Sequence, residues 1–208
     1  MAGFFFNALV GAAGARKPYK RRVAYLESTG TQWIDTGIVP SVETTLLFKY
    51  EHIGMGDNAG AMICGQTATH GTRANMFGVG PSQTNDRIYT FFGSYPVYKI
   101  PNRSGENLRL YRGGLWNADD DTQYLAPLSD AVVPSITTDR TLYLFAENYG
   151  GTLYRRGKTK LYYLKILNNG VLQRDFIPVI DWNNRPAMYD KVSGQMFYNQ
   201  GTGEFNYA

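Results

Sequence analysis

The chain has 208 residues; charged residues make up only 18% of them, whereas glycine, tyrosine and phenylalanine occur 23, 16 and 11 times. A chain of this length can bury the core of one complete domain, and this composition is typical of β proteins in which short strands alternate with turns. The single cysteine, Cys64, excludes an intrachain disulfide, and its apolar neighbours predict a buried side chain rather than a reactive thiol.

The net charge of +4 is concentrated at the N-terminus. Residues 1–22 contain five basic residues and no acidic residue, so that residues 23–208 carry 16 basic and 17 acidic side chains. A nearly neutral body without a basic stripe argues against nucleic-acid binding. The contrast predicts an N-terminal anchor and linker of residues 1–22, followed by one domain of residues 23–208.

Residues 1–15 are almost all apolar or small. About twelve such residues are too few for a membrane-spanning helix, which takes about 20. Ala13-Gly14-Ala15 has the small-x-small pattern of a signal-peptide cleavage site, but no positive charge precedes the apolar run and a basic cluster follows it. We therefore expect an assembly anchor made by Phe4, Phe5, Phe6, Leu9, Val10, Arg16, Lys17, Lys20, Arg21 and Arg22. Packing against the chain's own body and a membrane-surface or targeting role are the alternatives.

The stretch 25–37 opens the domain. Two short runs with alternating apolar residues flank the turn sequence Ser28-Thr29-Gly30-Thr31. This pattern predicts the first β-hairpin, or the first bend, of an all-β domain.

Short strands separated by turn residues are predicted along the rest of the chain. The first of them places Val42, Thr44, Leu46, Phe48 and Tyr50 on one face. Asn168-Asn169-Gly170 predicts a tight hairpin, because Asn and Gly tolerate positive φ, and residues 116–139 are predicted to form a long connection with one short strand. The predicted strands are 42–50, 61–64, 75–79, 86–93, 107–112, 141–146, 160–167, 171–179, 187–189, 195–198 and 204–205.

No segment of the body has a convincing helical period. About a dozen short strands predict an all-β fold, a two-sheet antiparallel β-sandwich of jelly-roll type whose first and last strands lie close together. In this arrangement Trp33, Phe48, Tyr143, Phe145 and Phe176 are expected in the core or between the sheets.

The two ends of the body resemble a LamG-like, concanavalin A-like jelly-roll domain, of the type found in gut bacteriophage virion structural proteins and gut bacterial surface proteins. The resemblance spans residues 23–208, although residues 51–135 follow no pattern of the family. It implies a β-sandwich, and it implies binding or decoration rather than catalysis. The segments that carry it are 25–37, 144–146, 161–166, 174–178, 188–191 and 197–205.

Residues for catalysis or for a metal site are scarce in the sequence. His52 and His70 have no metal-ligand spacing. The chain has one cysteine and no nucleophile-elbow sequence, so it lacks the residue pattern that acyl transfer requires. We therefore expect no enzyme and no cofactor. Calcium bound by a carboxylate loop is the alternative that LamG-like domains suggest, with Asp119, Asp120 and Asp121 as ligands.

Glycan binding requires aromatic faces next to hydrogen-bonding side chains. The residues with this chemistry in predicted loops are Tyr95, Trp116, Asn117, Tyr149, Trp182, Asn183 and Arg185.

The function expected from the sequence is that of a non-enzymatic virion structural protein, a head or tail decoration or fibre subunit on the outer surface of a phage particle. Its expected partners are other virion proteins bound through the N-terminal segment, further copies of the chain and a host glycan. A bacterial surface or secreted carbohydrate-binding module is the first alternative, and a glycan-cleaving enzyme on the same fold is the second.

Overall fold

The computed structural model describes residues 17–55, 61–69, 75–82, 86–94 and 98–208, except for the side chains of Met55 and Tyr98. These residues form nineteen strands and no helix. The strands are β1 (Arg21–Arg22), β2 (Leu26–Glu27), β3 (Ile34–Asp35), β4 (Thr44–Met55), β5 (Cys64–Thr67), β6 (Met76–Pro81), β7 (Arg87–Gly93), β8 (Tyr98–Pro101), β9 (Asn107–Tyr111), β10 (Gly114–Asn117), β11 (Gln123–Leu125), β12 (Tyr143–Leu144), β13 (Glu147–Tyr149), β14 (Thr152–Tyr154), β15 (Gly157–Asn168), β16 (Val171–Ile180), β17 (Pro186–Asp190), β18 (Gln195–Tyr198) and β19 (Asn206–Tyr207).

The strands form two sheets that pack face to face, as the β-sandwich prediction requires. The larger sheet has eleven strands and runs in the order β11-β10-β9-β4-β15-β16-β17-β18, with β1, β2 and β19 joined to it. The smaller sheet has eight strands and runs in the order β14-β13-β5-β6-β7-β8, with β3 and β12 joined to it. All described pairs are antiparallel except β5 with β13, which is parallel.

The core lies between the sheets, and alternation of buried and half-buried residues is clear on β4 and β9. On β4, Leu46, Phe48 and Tyr50 are fully buried, as the alternation of this strand predicts. Phe145 and Phe176 are also fully buried, and so is Cys64, whose burial raises the pKa of its thiol. The prediction of an inert, buried cysteine is therefore confirmed.

The stretch 25–37 is a bend between the sheets and not a hairpin. Its first strand, β2, pairs with β15 in the larger sheet, whereas its second strand, β3, pairs with β12 in the smaller sheet. The intervening turn is held by Gln32, whose side-chain oxygen accepts a hydrogen bond from the backbone N–H of Thr29 at 2.8 Å. β2 also pairs with β19, so the first and last strands of the body are adjacent as expected.

β15 and β16 form the hairpin predicted at Asn168-Asn169-Gly170. Asn168 pairs with Val171, and the two turn residues have φ of 49° at Asn169 and 73° at Gly170. These positive values are those of the tight turns that match the twist of a hairpin.

Beyond Leu164 and Phe176 the two strands of this hairpin take different partners. β15 pairs with β2 at Lys160 and Leu161, whereas β16 pairs with β1 at Val179 and Ile180. The N-terminal strands therefore fill a gap in the larger sheet.

The prediction for residues 116–139 is confirmed, since they contain the end of β10, one short strand, β11, and otherwise irregular chain. Two other local features differ from the predictions. The hairpin of β13 and β14 was not predicted, since its strands have only three residues each. Trp33 and Tyr143 are only half-buried, because their neighbours Ile34 and Leu144 fill the core; their rings instead pack on each other, 4.3 Å apart.

Candidate binding surface on the larger sheet

Lys17–Arg22, called the tail segment below, lies on the body. Besides the pairing of β1 with β16, the backbone N–H of Lys20 donates to the carbonyl of Ile180 at 2.9 Å. The ring of Tyr19 packs against that of Tyr189 at 5.2 Å, in a small apolar cluster on the outer face of the larger sheet. The other predicted anchor residues, Phe4, Phe5, Phe6, Leu9, Val10 and Arg16, lie outside the described residues.

The loop of residues 181–185, called the Trp182 loop, holds the front of the tail segment. The indole N–H of Trp182 donates to the carbonyl of Lys17 at 3.0 Å, and the ammonium of Lys20 donates to Asn184 Oδ1 at 2.6 Å. Trp182, which the sequence suggested for glycan stacking, is 45% exposed and uses its polar atom to hold the chain's own backbone.

Asp181 fixes the conformation of this loop. Its Oδ1 accepts the backbone N–H groups of Asn183 at 2.8 Å and Arg185 at 2.9 Å, and its Oδ2 accepts the hydroxyl of Tyr198 at 2.9 Å. Burial alone would raise the pKa of Asp181, but these bonds and the guanidinium of Arg185 together lower it. The carboxylate therefore stays charged, and Asn183 and Arg185, two predicted glycan residues, belong to a loop ordered by it.

The predicted glycan-binding residues do not form one site. Trp116 and Asn117 lie on β10, and the guanidinium of Arg109 covers the Trp116 ring at 4.9 Å. Three strands separate β10 from β16, so at about 4.8 Å per strand the Trp182 loop is about 19 Å away across the sheet. Tyr149 lies on β13 in the smaller sheet, stacked on Tyr154 at 5.1 Å, and Tyr95 is outside the described residues.

The three consecutive aspartates have separate partners. Asp119 accepts a hydrogen bond from the side-chain amide of Asn107, whose Nδ2 lies 3.0 Å from each carboxylate oxygen. Asp120 accepts the backbone N–H of Thr122 at 2.9 Å, and Asp121 pairs with Arg109 at 2.9 Å. In the described part of the chain, no group of three or more His, Cys, Asp or Glu residues could hold a metal ion.

A recess of about 390 Å³, called the sheet recess, opens on the outer face of the larger sheet. It crosses four neighbouring strands, β9, β4, β15 and β16, and reaches β1 at one side. Its apolar lining consists of Leu47, Ala118 and Ile177. Its polar and charged lining consists of Arg22, Asn107, Asp119, Tyr163, Lys165, Asp175 and Lys191.

The walls of the sheet recess are joined by hydrogen bonds. The Tyr163 hydroxyl donates to Asn107 Oδ1 at 3.0 Å, and Asn107 in turn donates to Asp119. Burial, and then the negative charge of Asp119, raise the pKa of Tyr163, so the phenol stays protonated and keeps donating. On the opposite wall Lys191 pairs with Asp175 Oδ2 at 2.6 Å.

The cations of Arg22 and Lys165 and one oxygen of Asp175 have no hydrogen-bond or ion-pair partner among the described residues. Arg22 and Lys165 make no hydrogen bond or ion pair there, although Lys165 is directly opposite Asp175 in the strand register. Asp175 is 8% exposed, and its Oδ1 is buried with no hydrogen-bond partner. Buried polar atoms without a partner are rare and are often found at binding sites.

No motif in the sequence identifies this recess. Alternation along β15 and β16 places Lys165 and Asp175 on the outer face, and that signal is present in the sequence. Their proximity to Asn107 and Arg22 depends on strand order, since β9, β4, β15 and β16 are not consecutive in the chain.

The two histidines, for which the sequence predicts no metal-ligand role, lie apart from the sheet recess or outside the described residues. His52 lies in β4, and His70 is outside the described residues. None of the described segments forms an apolar helix long enough to cross a membrane.

Comparison with protein-family models, with curated proteins and with solved structures finds no match to this chain. The strand pairing shows an all-β, two-sheet sandwich, and the resemblance of its terminal segments to LamG-like domains stays a prediction.

Proposed function

We propose that this protein is a non-enzymatic structural component of a bacteriophage particle, carried on the outer surface as a head or tail decoration or as a fibre subunit. The N-terminal segment fixes it to other virion proteins, and the β-sandwich is displayed for adhesion to host-surface glycans. The resemblance of the opening and closing segments of the body to LamG-like domains of virion proteins supports this proposal.

One structural observation supports the anchoring role most directly. The tail segment is tied to the body by strand pairing at Arg21 and Arg22 and by the side chains of Trp182 and Asn184. The residues before Lys17 therefore join the body at one defined end of the sandwich. A stiff connection of this kind fixes the orientation in which a domain is displayed, whereas a flexible linker does not.

Deletion of residues 1–16 tests the proposal, because it leaves the tail segment and all described strands intact. The truncated protein should unfold at the same urea concentration as the full chain but be missing from purified particles, as measured by mass spectrometry of the particles. The full chain, supplied in the same way, is the control. The proposal is wrong if the full chain stays free in the host cytoplasm and is absent from particles, or if the truncated chain is incorporated equally.

A bacterial surface or secreted carbohydrate-binding module is the second candidate, and the sheet recess favours it through its combination of apolar, aromatic and hydrogen-bonding side chains. The mass of the intact native protein separates the two candidates. Cleavage after Ala15 favours the secreted module, whereas an N-terminus that retains Phe4, Phe5 and Phe6 favours the virion component.

A further inference from the structure

We propose that the sheet recess binds one acidic sugar residue, such as a hexuronic acid, and that the cations of Arg22 and Lys165 recognise its carboxylate. The proposal deepens the adhesion part of the proposed function by assigning a site and a ligand class to it. It does not depend on whether the protein is part of a particle, because it rests on the side chains of the recess alone.

The charges of the recess select a ligand with a single negative charge. Arg22, Lys165 and Lys191 supply three positive charges, and Asp119 and Asp175 supply two negative ones. Lys191 is neutralised by Asp175, which leaves Arg22 and Lys165 for a ligand. A polyanion is disfavoured, since it would bring further negative charges against the two aspartates.

The remaining lining fits a sugar ring better than a bare carboxylate. Leu47 and Ile177 offer apolar contact for the C–H groups of a ring, and Tyr163 adds an aromatic side chain that its bond to Asn107 holds in place. A wall that is ordered before the ligand arrives lowers the entropy lost on binding. The volume of about 390 Å³ lies at the small end of the range of small-molecule sites, which suits one or two rings.

Asp175 gives the recess an acceptor for a sugar hydroxyl. Its Oδ1 has no hydrogen-bond partner, and its Oδ2 is covered by Lys191, whose side chain is 48% exposed and therefore has room to move. Displacement of Lys191 opens Oδ2 to a hydroxyl hydrogen of the ligand. The same displacement leaves the Lys191 cation free to approach the ligand's carboxylate.

Nuclear magnetic resonance of the ¹⁵N-labelled full chain, titrated with methyl β-D-glucuronide, tests the proposal. Methyl β-D-glucoside lacks the carboxylate and acetate lacks the ring, so the two isolate the parts of the ligand. The glucuronide should shift the amides of Tyr163, Lys165 and Asp175 and bind at least about fivefold more tightly than either comparison compound. The substitution Lys165→Gln should weaken glucuronide binding by about fivefold, to the level of the glucoside.

Lys158→Gln is the matched control, because Lys158 lies on the same strand, is exposed and is not part of the recess. It should leave glucuronide binding unchanged, and both variants should unfold at the same urea concentration as the parent. Equal binding of glucuronide and glucoside, binding of acetate as tight as that of the glucuronide, shifts confined to another surface, or equal effects of the two lysine substitutions would each overturn the proposal. Incorporation into particles is measured separately and should be unaffected by Lys165→Gln, so failure here leaves the proposed function standing.

Discussion

Replacement of Asp181 by alanine should destabilise both the body and its connection to the tail segment. The side chain is 4% exposed and accepts hydrogen bonds from two backbone N–H groups of its own loop and from the hydroxyl of Tyr198. Alanine removes all three acceptor contacts. The ion pair with Arg185 adds little, because the Arg185 side chain is 55% exposed.

The size of the effect follows from these three bonds. Hydrogen bonds to a charged group contribute about 1.5–3 kcal/mol each when buried, but the N–H groups of Asn183 and Arg185 belong to exposed residues and can bind water instead. At about 1 kcal/mol per bond we expect Asp181→Ala to lower the free energy of unfolding by about 3 kcal/mol. With a urea dependence of about 2 kcal/mol per M, the midpoint should fall by about 1.5 M.

Urea denaturation followed by tryptophan fluorescence measures this shift. Asp139→Ala is the control, since Asp139 has a side chain that is 80% exposed and pairs only with its neighbour Arg140, and it should change the free energy by less than about 0.5 kcal/mol. Asp181→Asn keeps an acceptor oxygen and should fall between the two. A midpoint for Asp181→Ala equal to that of the Asp139 control would refute the assignment of Asp181 as the residue that orders the loop.

Three further predictions concern other contacts of the structure. Trp182→Ala removes the indole N–H that holds the front of the tail segment, so tryptic cleavage within the tail segment should become several-fold faster while the urea midpoint of the body stays near that of the parent; an unchanged cleavage rate would contradict this role. Gly80→Ala should lower the free energy of unfolding by about 3 kcal/mol or more, because the new Cβ would lie 2.0 Å from the carbonyl oxygen of Ala61. Gly54→Ala, whose new Cβ would lie 3.8 Å from its nearest atom, should change the urea midpoint little. Equal midpoints for the two variants would contradict the close approach of Gly80 to Ala61. Burial would raise the pKa of Asp190, but hydrogen bonds from its neighbours lower it. The contribution of Asp190 to stability is therefore present above about pH 4 and is lost as the pH falls through the lowered pKa. Asp190→Asn should flatten the pH dependence of the free energy of unfolding, measured by urea titrations between pH 2 and 6, and an unchanged slope would refute this.

The body's fold could be predicted because its determinants are local. Alternation on β4 identifies the core residues Leu46, Phe48 and Tyr50, and Asn169-Gly170 specifies the turn of the central hairpin. The bend at 25–37 could not be distinguished from a hairpin, because the two interpretations share the same turn sequence and differ only in the partners of β2 and β3. Those partners, β15 and β12, lie more than 100 residues away.

The candidate site could be predicted only in part, for a related reason. The sequence identifies aromatic residues in loops, but it does not show that Trp182 donates to Lys17 or that Trp116 is covered by Arg109. The sheet recess combines residues from strands that are far apart in the chain, such as Asn107 and Lys165, and no motif records that combination. Composition therefore indicates which residue types a binding site would use, whereas strand order determines where those side chains lie.

The tail segment borders the sheet recess through Arg22, whereas its front, at Lys17 and Lys20, lies at the Trp182 loop. β1 pairs with the end of β16 at Ile180, and from there the tail segment runs on to the Trp182 loop, whereas Asp175 lies five residues back along β16. At about 3.4 Å per residue this places Asp175 about 17 Å from that end of the sandwich. An assembly joined through the tail segment should therefore cover Lys20, which bonds to Asn184, and leave Lys165 accessible.

Acetylation of lysines in purified particles and in the free protein, compared by mass spectrometry, tests this arrangement. Lys20 should react several-fold more slowly in particles than in the free protein, while the reactivity of Lys165 and of the exposed Lys158 on the same strand should be unchanged. Protection of Lys165 together with Lys20 would show that the outer face of the larger sheet is itself buried in the assembly. In that case the recess could not receive a host glycan while the protein is attached, and adhesion would have to use another surface.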